Sequence, residues 1–283
     1  MTQQHNGKPA RDYDPGHWHC TADAEVLCTV TESGIATLTF NRVSKHNAFH
    51  AAIIQSLLGY LRKLKHHPGL RVLLLKANGK HFSAGADLEW MMSMAEHSVK
   101  KNRADALELA ALLYELDTFP TPTIAQIQGS AFGGALGLIC CCDIAVASPD
   151  ARFCLSEVRI GLLPATIGPY VCRTIGQRQA RRYMLTAESM DATTAQQLGL
   201  LHEISEQPET RVEELVALLL ENSPQSLAQT KLLCQLCDQH EIDPALMKKT
   251  SQLIADIRVS PEGQEGLAAF FARRPPAWSP RYE

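Results

Sequence analysis

Two segments that join a strand pattern to a helix pattern through small residues place the strongest constraint on this chain. Residues 81–88 read His-Phe-Ser-Ala-Gly-Ala-Asp-Leu and come after the apolar run 72–75, and residues 127–135 read Ile-Gln-Gly-Ser-Ala-Phe-Gly-Gly-Ala. The first turn of a helix has free N–H groups and lies at the positive end of the helix dipole, so it can hold a negative oxygen. Two such turns facing one point would supply the paired donors of an oxyanion hole. A single Gly-Gly at a helix start more often reflects close packing, so the inference depends on the pair.

Strand and helix patterns alternate through the first half of the chain. The predicted strands are residues 25–30, 35–40, 70–76, 123–128 and 143–147, and the predicted helices are 50–65, 89–95, 99–116 and 133–141. The first two strands flank Glu32-Ser33-Gly34 and are expected to form a hairpin. This alternation is typical of the α/β class.

Helix patterns dominate the C-terminal part. Amphipathic helices are predicted at residues 213–220, 225–237 and 245–257, followed by 263–273. Their apolar faces could pack on the core of the same chain or associate with other subunits, and the pattern leaves both open. We therefore divide the chain into a flexible N-terminal tail (1–22), an α/β core (23–205) and a C-terminal helical region (206–283) that is a candidate for oligomerisation.

Composition limits the partners of the protein. A net charge of −3 argues against a general nucleic-acid binder. No apolar run reaches transmembrane length and the N-terminus lacks the layout of a signal peptide, so we expect no membrane partner and a cytoplasmic location. The nine cysteines are expected to be reduced and largely buried, and no metal site is predicted.

The chain resembles the crotonase (enoyl-CoA hydratase/isomerase) superfamily from about residue 24 onward. The matching residues are Asn41-Arg42, Asn47-Ala48, residues 82–88, Gly129, Gly133-Gly134, Cys142-Asp143-Ile144, Phe153, Glu157, Gly161-Leu162, Pro164 and Gly199-Leu200. The resemblance implies a spiral of β-β-α units with a C-terminal helical trimerisation region. It also implies a homotrimer or a hexamer built as a dimer of trimers.

The same resemblance implies the roles of individual residues. It assigns the two oxyanion-hole donors to the backbone N–H groups of Ala86 and Gly134 and the acid/base role to Glu157. The positions implied to bind substrate and CoA are Lys45, Ala48, Ala84, Asp87, Leu88 and Gly133. An acyl-CoA thioester would be the substrate, and no separate cofactor is implied.

One family residue is missing. Hydratases of this superfamily carry a second glutamate one turn into the helix after the glycine pair, where this chain has Gly137. A single carboxyl suits the transfer of one proton in a Δ3-Δ2 isomerase, and Gly137 is also expected to open space for a different acyl group. Glutamates of the helical stretch that follows the first donor, Ala86, could supply a helper: Glu89, Glu96, Glu108 and Glu115.

Other features favour hydration. The segments around residues 81–91, 131–138, 155–162 and 259–266 look like the bacterial methylglutaconyl-CoA hydratase subgroup, which serves leucine and acyclic-terpene breakdown. A carboxylated substrate would need a cation, and Arg152 and Arg159 are nearest to Glu157 in sequence. We therefore expect a hydratase that acts on 3-methylglutaconyl-CoA or a related branched, carboxylated enoyl-CoA. The alternatives are an isomerase that uses Glu157 alone and an acyl-CoA-binding scaffold without turnover.

Overall fold

The computed structural model describes residues 23–279, so the predicted tail at residues 1–22 lies outside the described residues. The strands are β1 (Val26–Val30), β2 (Ile35–Phe40), β3 (Val72–Ala77), β4 (Thr123–Ile127), β5 (Ser130–Phe132), β6 (Ile144–Ala147), β7 (Arg152–Cys154), β8 (Met190–Asp191) and β9 (Glu203–Ile204). The α-helices are α1 (Ala51–Leu64), α2 (Leu88–Ala95), α3 (Val99–Asp117), α4 (Gly134–Cys141), α5 (Gly168–Ile175), α6 (Gln177–Thr186), α7 (Ala192–Gln197), α8 (Pro208–Leu220), α9 (Pro224–Gln239), α10 (Pro244–Val259) and α11 (Pro261–Phe271).

Six strands form the main sheet in the order β1-β2-β3-β4-β6-β9. The β1–β2 hairpin is antiparallel, as predicted, and every other pair in this sheet is parallel. Strand β3 is buried at Val72, Leu73 and Leu75, which matches its unbroken apolar sequence. The α/β prediction is confirmed.

A second sheet of three short strands was not predicted. Strand β5 pairs with β7 in parallel, and β7 pairs with β8 antiparallel. The segment 82–83 extends this sheet, because Ser83 forms an isolated parallel bridge to Ala131 of β5. The small sheet therefore joins three segments that carry predicted site residues.

The C-terminal helices differ in how they contact the core. Helix α8 packs its buried residues Val212, Val216 and Leu220 on one face of the main sheet. The helical region predicted from residue 206 thus begins with a helix that covers the sheet. Helix α9 is tied to the core through Lys231, whose Nζ lies 2.6 Å from Asp143 Oδ2. In contrast, α10 buries only Leu246, and α11 buries only Ala269.

The eight cysteines in residues 23–279 form no disulfide with one another. Five of these eight are buried, including the consecutive Cys140, Cys141 and Cys142. Burial raises the pKa of Cys140 to about 12, so this thiol stays protonated and unreactive at neutral pH. Within the same residues, no helix is both long and apolar enough to cross a bilayer, and no cluster of His, Cys, Asp and Glu could hold a metal ion.

Candidate active site

The first predicted donor is the backbone N–H of Ala86. The chain at residues 85–87 runs beside Phe49, which donates its N–H to Gly85 O (2.7 Å) and accepts from the Asp87 N–H (2.7 Å). Because neighbouring peptide groups in an extended chain point in opposite directions, the Ala86 N–H points away from Phe49. It has no hydrogen-bond acceptor within residues 23–279, and Ala86 lines a cavity of about 500 Å³.

The second predicted donor is the N–H of Gly134, the first residue of α4. An N–H at this position has no partner within its own helix. The preceding Gly133 has φ 53° and ψ −123°, a conformation that is accessible to glycine and strained for other residues. Gly134 lines the same cavity as Ala86. The two segments adjoin, since a methyl group added at Gly85 would lie 3.3 Å from Phe132 O.

Glu157 reaches this point because of the small sheet. Phe132 of β5 is paired with Cys154 of β7, and Gly133 N–H donates to Cys154 O at 2.9 Å. The chain then turns into a 3-10 helix that begins at Glu157. A methyl group added at Gly133 would lie 3.2 Å from Glu157 Oε1. The carboxyl therefore stands beside the start of α4.

One oxygen of the Glu157 carboxyl is unpaired. Its Oε2 is buried and has no hydrogen-bond partner within the described part of the chain. Burial raises its pKa above the usual value, because the charged form loses water, and a hydrogen bond from the Glu157 backbone N–H acts in the opposite direction without cancelling this effect. A raised pKa brings the proton exchange of a carboxyl closer to neutral pH, which suits proton transfer to a substrate. The site thus combines two free N–H donors with one proton-transfer group.

The structure separates the predicted substrate-binding residues into two sets. Ala84, Leu88 and Gly133 line the cavity. Asp87 is 5% exposed, caps α2 through the N–H groups of Glu89 and Trp90, and accepts from Arg42 Nη1 at 2.6 Å. Although burial acts in the opposite direction, these hydrogen bonds hold the pKa of Asp87 below its usual range.

The other two predicted CoA residues lie outside the cavity lining. Ala48 is buried, and its carbonyl accepts from Arg42 Nη1 at 3.1 Å. Lys45 is about half exposed and its Nζ lies 3.1 Å from Glu89 Oε1. Contact between Lys45 and a CoA phosphate stays a prediction.

Gly137 does not widen the cavity, so that expectation is wrong. A Cβ at this position would lie 2.4 Å from Ile167 Cγ2 and 3.1 Å from Leu113 Cδ2. Gly137 is fully enclosed in α4, whereas Ile167 lines the cavity in its place. The space that a glutamate would need at position 137 is therefore filled by aliphatic side chains of the same protein.

The remaining polar residues of the cavity were only partly foreseen. Arg159 lines it and donates from Nη2 to Ala187 O at 2.5 Å, whereas Arg152 does not line it. None of the four glutamates considered as helpers lines the cavity, but Asp105 of α3 does. A sequence signal for Asp105 existed only in its place on the face shared with Ala106 and Leu109, which also line the cavity.

Two backbone donors and a carboxyl with an unpaired oxygen line one cavity, and these are the groups that stabilising an oxyanion and transferring a proton would require. Comparison with known proteins identifies the class. The sequence model of the enoyl-CoA hydratase/isomerase family matches residues 30–281. The chain belongs to this family and is an enzyme of this type, which an acyl-CoA substrate fits.

Individual relatives agree with this assignment. An enoyl-CoA hydratase from Shewanella pealeana has a crystal structure with 49% identity and a TM-score of 0.88, covering 93% of this chain and 97% of that one. Pseudomonas aeruginosa AtuE is 33% identical with a TM-score of 0.86, covering 91% and 100%. The 2,3-dehydroadipyl-CoA hydratase of Escherichia coli is 28% identical, covering 90% of this chain and 99% of its own.

Proposed function

We propose that this protein is an acyl-CoA hydratase that adds water across the C2=C3 bond of a branched, carboxylated enoyl-CoA such as 3-methylglutaconyl-CoA. The observation that carries the proposal is the Glu157 carboxyl, whose Oε2 is unpaired and which lies beside two free backbone N–H groups in one cavity. A route of this kind belongs to leucine or isoprenoid breakdown, or more broadly to fatty acid metabolism, and we place the enzyme in the cytoplasm.

The chemistry follows from where charge develops. When water attacks C3, the π electrons of the C2=C3 bond move towards the thioester, and its carbonyl oxygen becomes an enolate oxygen. The N–H groups of Ala86 and Gly134 stabilise that charge, and losing one such donor typically costs about 2.7–4 kcal/mol. Glu157 delivers a proton to C2, the thioester carbonyl re-forms, and the proton that the added water loses at C3 restores the Glu157 carboxyl. Because CoA is part of the substrate, we propose no additional cofactor.

A substrate carboxylate would be bound by Arg159. One of its terminal nitrogens donates to Ala187 O, and its guanidinium retains further N–H groups for a ligand. Guanidinium groups match carboxylates in charge and geometry. The related 2,3-dehydroadipyl-CoA hydratase is named for a carboxylated enoyl-CoA, which supports a substrate of this class.

Substrate positioning and assembly complete the proposal. Ala84 and Leu88 would contact the CoA arm at the mouth of the cavity, and Lys45 would approach its phosphates from the surface. The C-terminal helices α10 and α11 expose apolar residues that a single chain does not cover, which supports assembly into a homotrimer or hexamer.

Turnover with product identification tests the reaction. Purified wild type, Glu157→Gln and the exposed control Glu206→Gln are incubated with 3-methylglutaconyl-CoA, crotonyl-CoA and a 3-enoyl-CoA. We expect wild type and Glu206→Gln to add the mass of one water chiefly to the branched carboxylated substrate. The hydration rate of Glu157→Gln should be lower by about 100-fold or more. Binding without turnover of any substrate would instead indicate a scaffold.

A matched pair tests the carboxylate anchor. Arg159→Met should raise KM for 3-methylglutaconyl-CoA about tenfold or more and leave crotonyl-CoA nearly unchanged, because only the former carries a second carboxylate. Arg152→Met, a change outside the cavity, should leave both KM values as in wild type. Equal effects of Arg159→Met on the two substrates would remove Arg159 from this role.

The second candidate function is the Δ3-Δ2 enoyl-CoA isomerase. It is favoured by the lack of a glutamate in α4, where Gly137 stands, because moving a double bond needs a single proton carrier. The experiment above separates the two functions: isomerisation shifts the double bond of the 3-enoyl-CoA with no change in mass.

A further inference from the structure

The Ala86 donor lies at a contact between two segments of the chain. Phe49 of the first segment makes two backbone hydrogen bonds of 2.7 Å to residues 85 and 87 of the second. The bridge between Phe49 and Ala86 is isolated and belongs to neither sheet. No longer run of strand pairing fixes its geometry, so the direction of the Ala86 N–H depends on other contacts that hold the two segments together.

Arg42 makes such a contact. Its Nη1 atom donates one hydrogen bond to Ala48 O at 3.1 Å and another to Asp87 Oδ2 at 2.6 Å. These two acceptor residues directly adjoin the bridged pair, one before Phe49 and the other after Ala86, so a single nitrogen joins both segments beside the bridge. The side chains of Arg42 and Asp87 are 15% and 6% exposed, so water competes little for this charge-assisted hydrogen bond.

Arg42 is itself held by further contacts. Its Nε atom lies 2.8 Å from Glu25 Oε1, and its backbone N–H donates to Asn47 Oδ1 at 2.9 Å. Asn47 is buried, and its Nδ2 atom donates to the carbonyls of Asn78 and His81 at 2.9 and 2.8 Å. Arg42 therefore occupies a fixed position from which it can hold the two segments.

The two oxygens of Asp87 have separate partners. Oδ1 accepts from the N–H groups of Glu89 and Trp90 at 2.9 and 3.1 Å and so caps α2. Oδ2 accepts from Arg42. An asparagine at position 87 keeps one oxygen for the cap but replaces the other with an NH2 group, which cannot accept from Arg42. The contact with Arg42 can therefore be removed without removing the helix cap.

Resting on the donor role that the proposed function gives to Ala86, we propose that Arg42 is a positioning residue for the oxyanion hole. By holding Ala48 and Asp87 together, it keeps the Ala86 N–H directed at the thioester oxygen. Arg42 does not line the cavity, so it acts through the backbone rather than on the substrate. Its loss should reduce kcat more than substrate binding, because the charge on the thioester oxygen is greatest in the transition state.

The test observes the thioester carbonyl directly. The probe is 4-(dimethylamino)cinnamoyl-CoA, a thioester whose absorption moves to longer wavelength when hydrogen bonds polarise its carbonyl. It is bound to wild type, Arg42→Met, Arg42→Lys, Asp87→Asn and the double variant of Arg42→Met with Asp87→Asn, and kcat and KM are measured on 3-methylglutaconyl-CoA. Lys231→Met is the matched control. Lys231 Nζ lies 2.6 Å from a carboxylate oxygen (Asp143 Oδ2) and 3.1 Å from a carbonyl oxygen (Thr121 O), the same two distances as those of the arginine.

We expect wild type to shift the absorption of the probe, and Arg42→Met and Asp87→Asn to lose much of that shift. Their kcat should be lower by about tenfold or more, with KM within about threefold of wild type. The double variant should lose no more than Arg42→Met alone, since both changes break one contact. Arg42→Lys should recover part of the shift and of kcat, because one ammonium nitrogen can also donate to two acceptors. Lys231→Met should lower the thermal midpoint and leave the shift, kcat and KM as in wild type.

An unchanged shift in Arg42→Met, a change confined to KM, or an equal loss of shift and kcat in Lys231→Met would overturn the role of Arg42. If Arg42→Met does not fold, Asp87→Asn decides, because it keeps both the arginine and the helix cap, and a wild-type shift in that variant would also overturn the proposal. A wild type that shifts the probe but hydrates no substrate would refute the proposed hydratase and not the role of Arg42. A wild type that binds the probe without a shift would refute the donor role of Ala86 and the positioning role with it.

Discussion

At the scale of single residues, the site is built from groups left without partners. The amides of Ala86 and Gly134 lack acceptors in the described chain, and Glu157 Oε2 lacks a donor. Buried polar groups without hydrogen bonds are unfavourable for folding. The groups that the function needs therefore lower the stability of the folded protein, and for Glu157 this loss of stability can be measured.

We expect Glu157→Gln to stabilise the protein at high pH only. Burial raises the pKa of Glu157 in the folded state above its usual 4.5. At pH values below the pKa of Glu157 in the unfolded chain, the folded and unfolded states both hold the proton, so the substitution changes little. As the pH rises through the pKa of Glu157 in the folded state, the native protein must bury a charge and loses stability. The thermal midpoint of Glu157→Gln minus that of wild type should thus be small at pH 4 and positive at pH 8. An offset of the same size at both pH values, or the same trend in Glu206→Gln, would contradict this.

Gly133→Ala should impair turnover through Glu157. The added methyl group would lie 3.2 Å from Glu157 Oε1, and the positive φ of 53° would be strained. We expect kcat to fall at least about tenfold, since small displacements of reacting groups are costly. Gly176→Ala is the control, because Gly176 has φ 76° and nothing within 4 Å of an added methyl. It should lower the thermal midpoint but leave kcat unchanged; equal kcat losses would mean that strain alone is responsible.

At the scale of elements, the length of a segment decided what the sequence could predict. Helix α1 (Ala51–Leu64) and strand β3 (Val72–Ala77) were predicted closely because their patterns run over several residues. Strands β5 and β7 have three residues each, which is too short for a pattern to be recognised. Helix α8 was predicted from residue 213, but it starts at Pro208, whose preference for a first helical turn was overlooked.

The site residues that stand in local sequence motifs could be predicted. Ala86, Gly134 and Glu157 stand in local motifs, and the structure brings all three to one cavity. Asp105 was not predicted to line the cavity, because this depends on which face of α3 meets the cavity, and α3 carries charges on several sides. Gly137 misled the prediction, since a missing side chain reads as open space in a sequence although Ile167 occupies it.

Restoring the second glutamate should fail for reasons of packing. In Gly137→Glu, the new Cβ would lie 2.4 Å from Ile167 Cγ2, and the carboxyl would enter an aliphatic layer between α3 and α4. Overpacking typically costs about 1–3 kcal/mol, and an unpaired buried carboxyl adds to this. We expect a lower midpoint of urea unfolding and no gain in hydration rate. Ile167→Ala combined with Gly137→Ala should be more stable than Gly137→Ala alone, because the closest atom is removed. A faster Gly137→Glu enzyme would disprove this account.

At the scale of the whole molecule, apolar exposure is concentrated in the C-terminal helices. Helices α10 and α11 expose Met247, Ile254, Val259, Phe270 and Phe271 to between 52% and 78%. The C-terminal helices are nevertheless tied to the core, because Arg71 donates to the carbonyls of Leu220 and Trp278. A fixed surface of large apolar side chains is a feature of subunit interfaces.

Ile254→Lys should therefore shift the assembly towards the single chain. Ile254 is 52% exposed on α10, so the substitution adds no unpaired charge to the core of the chain. In an apolar interface the same charge must be buried without a partner, which is strongly unfavourable. We expect a molar mass near 31.1 kDa by light scattering for Ile254→Lys and a multiple of that for wild type.

Gln252→Lys adds the same charge to the same helix at an exposed polar position, where Gln252 donates to Asp256. It should keep the wild-type mass. A wild type that is already a single chain would show that α10 and α11 do not form a subunit interface, whereas dissociation by both substitutions would attribute the effect to charge rather than to loss of the apolar contact.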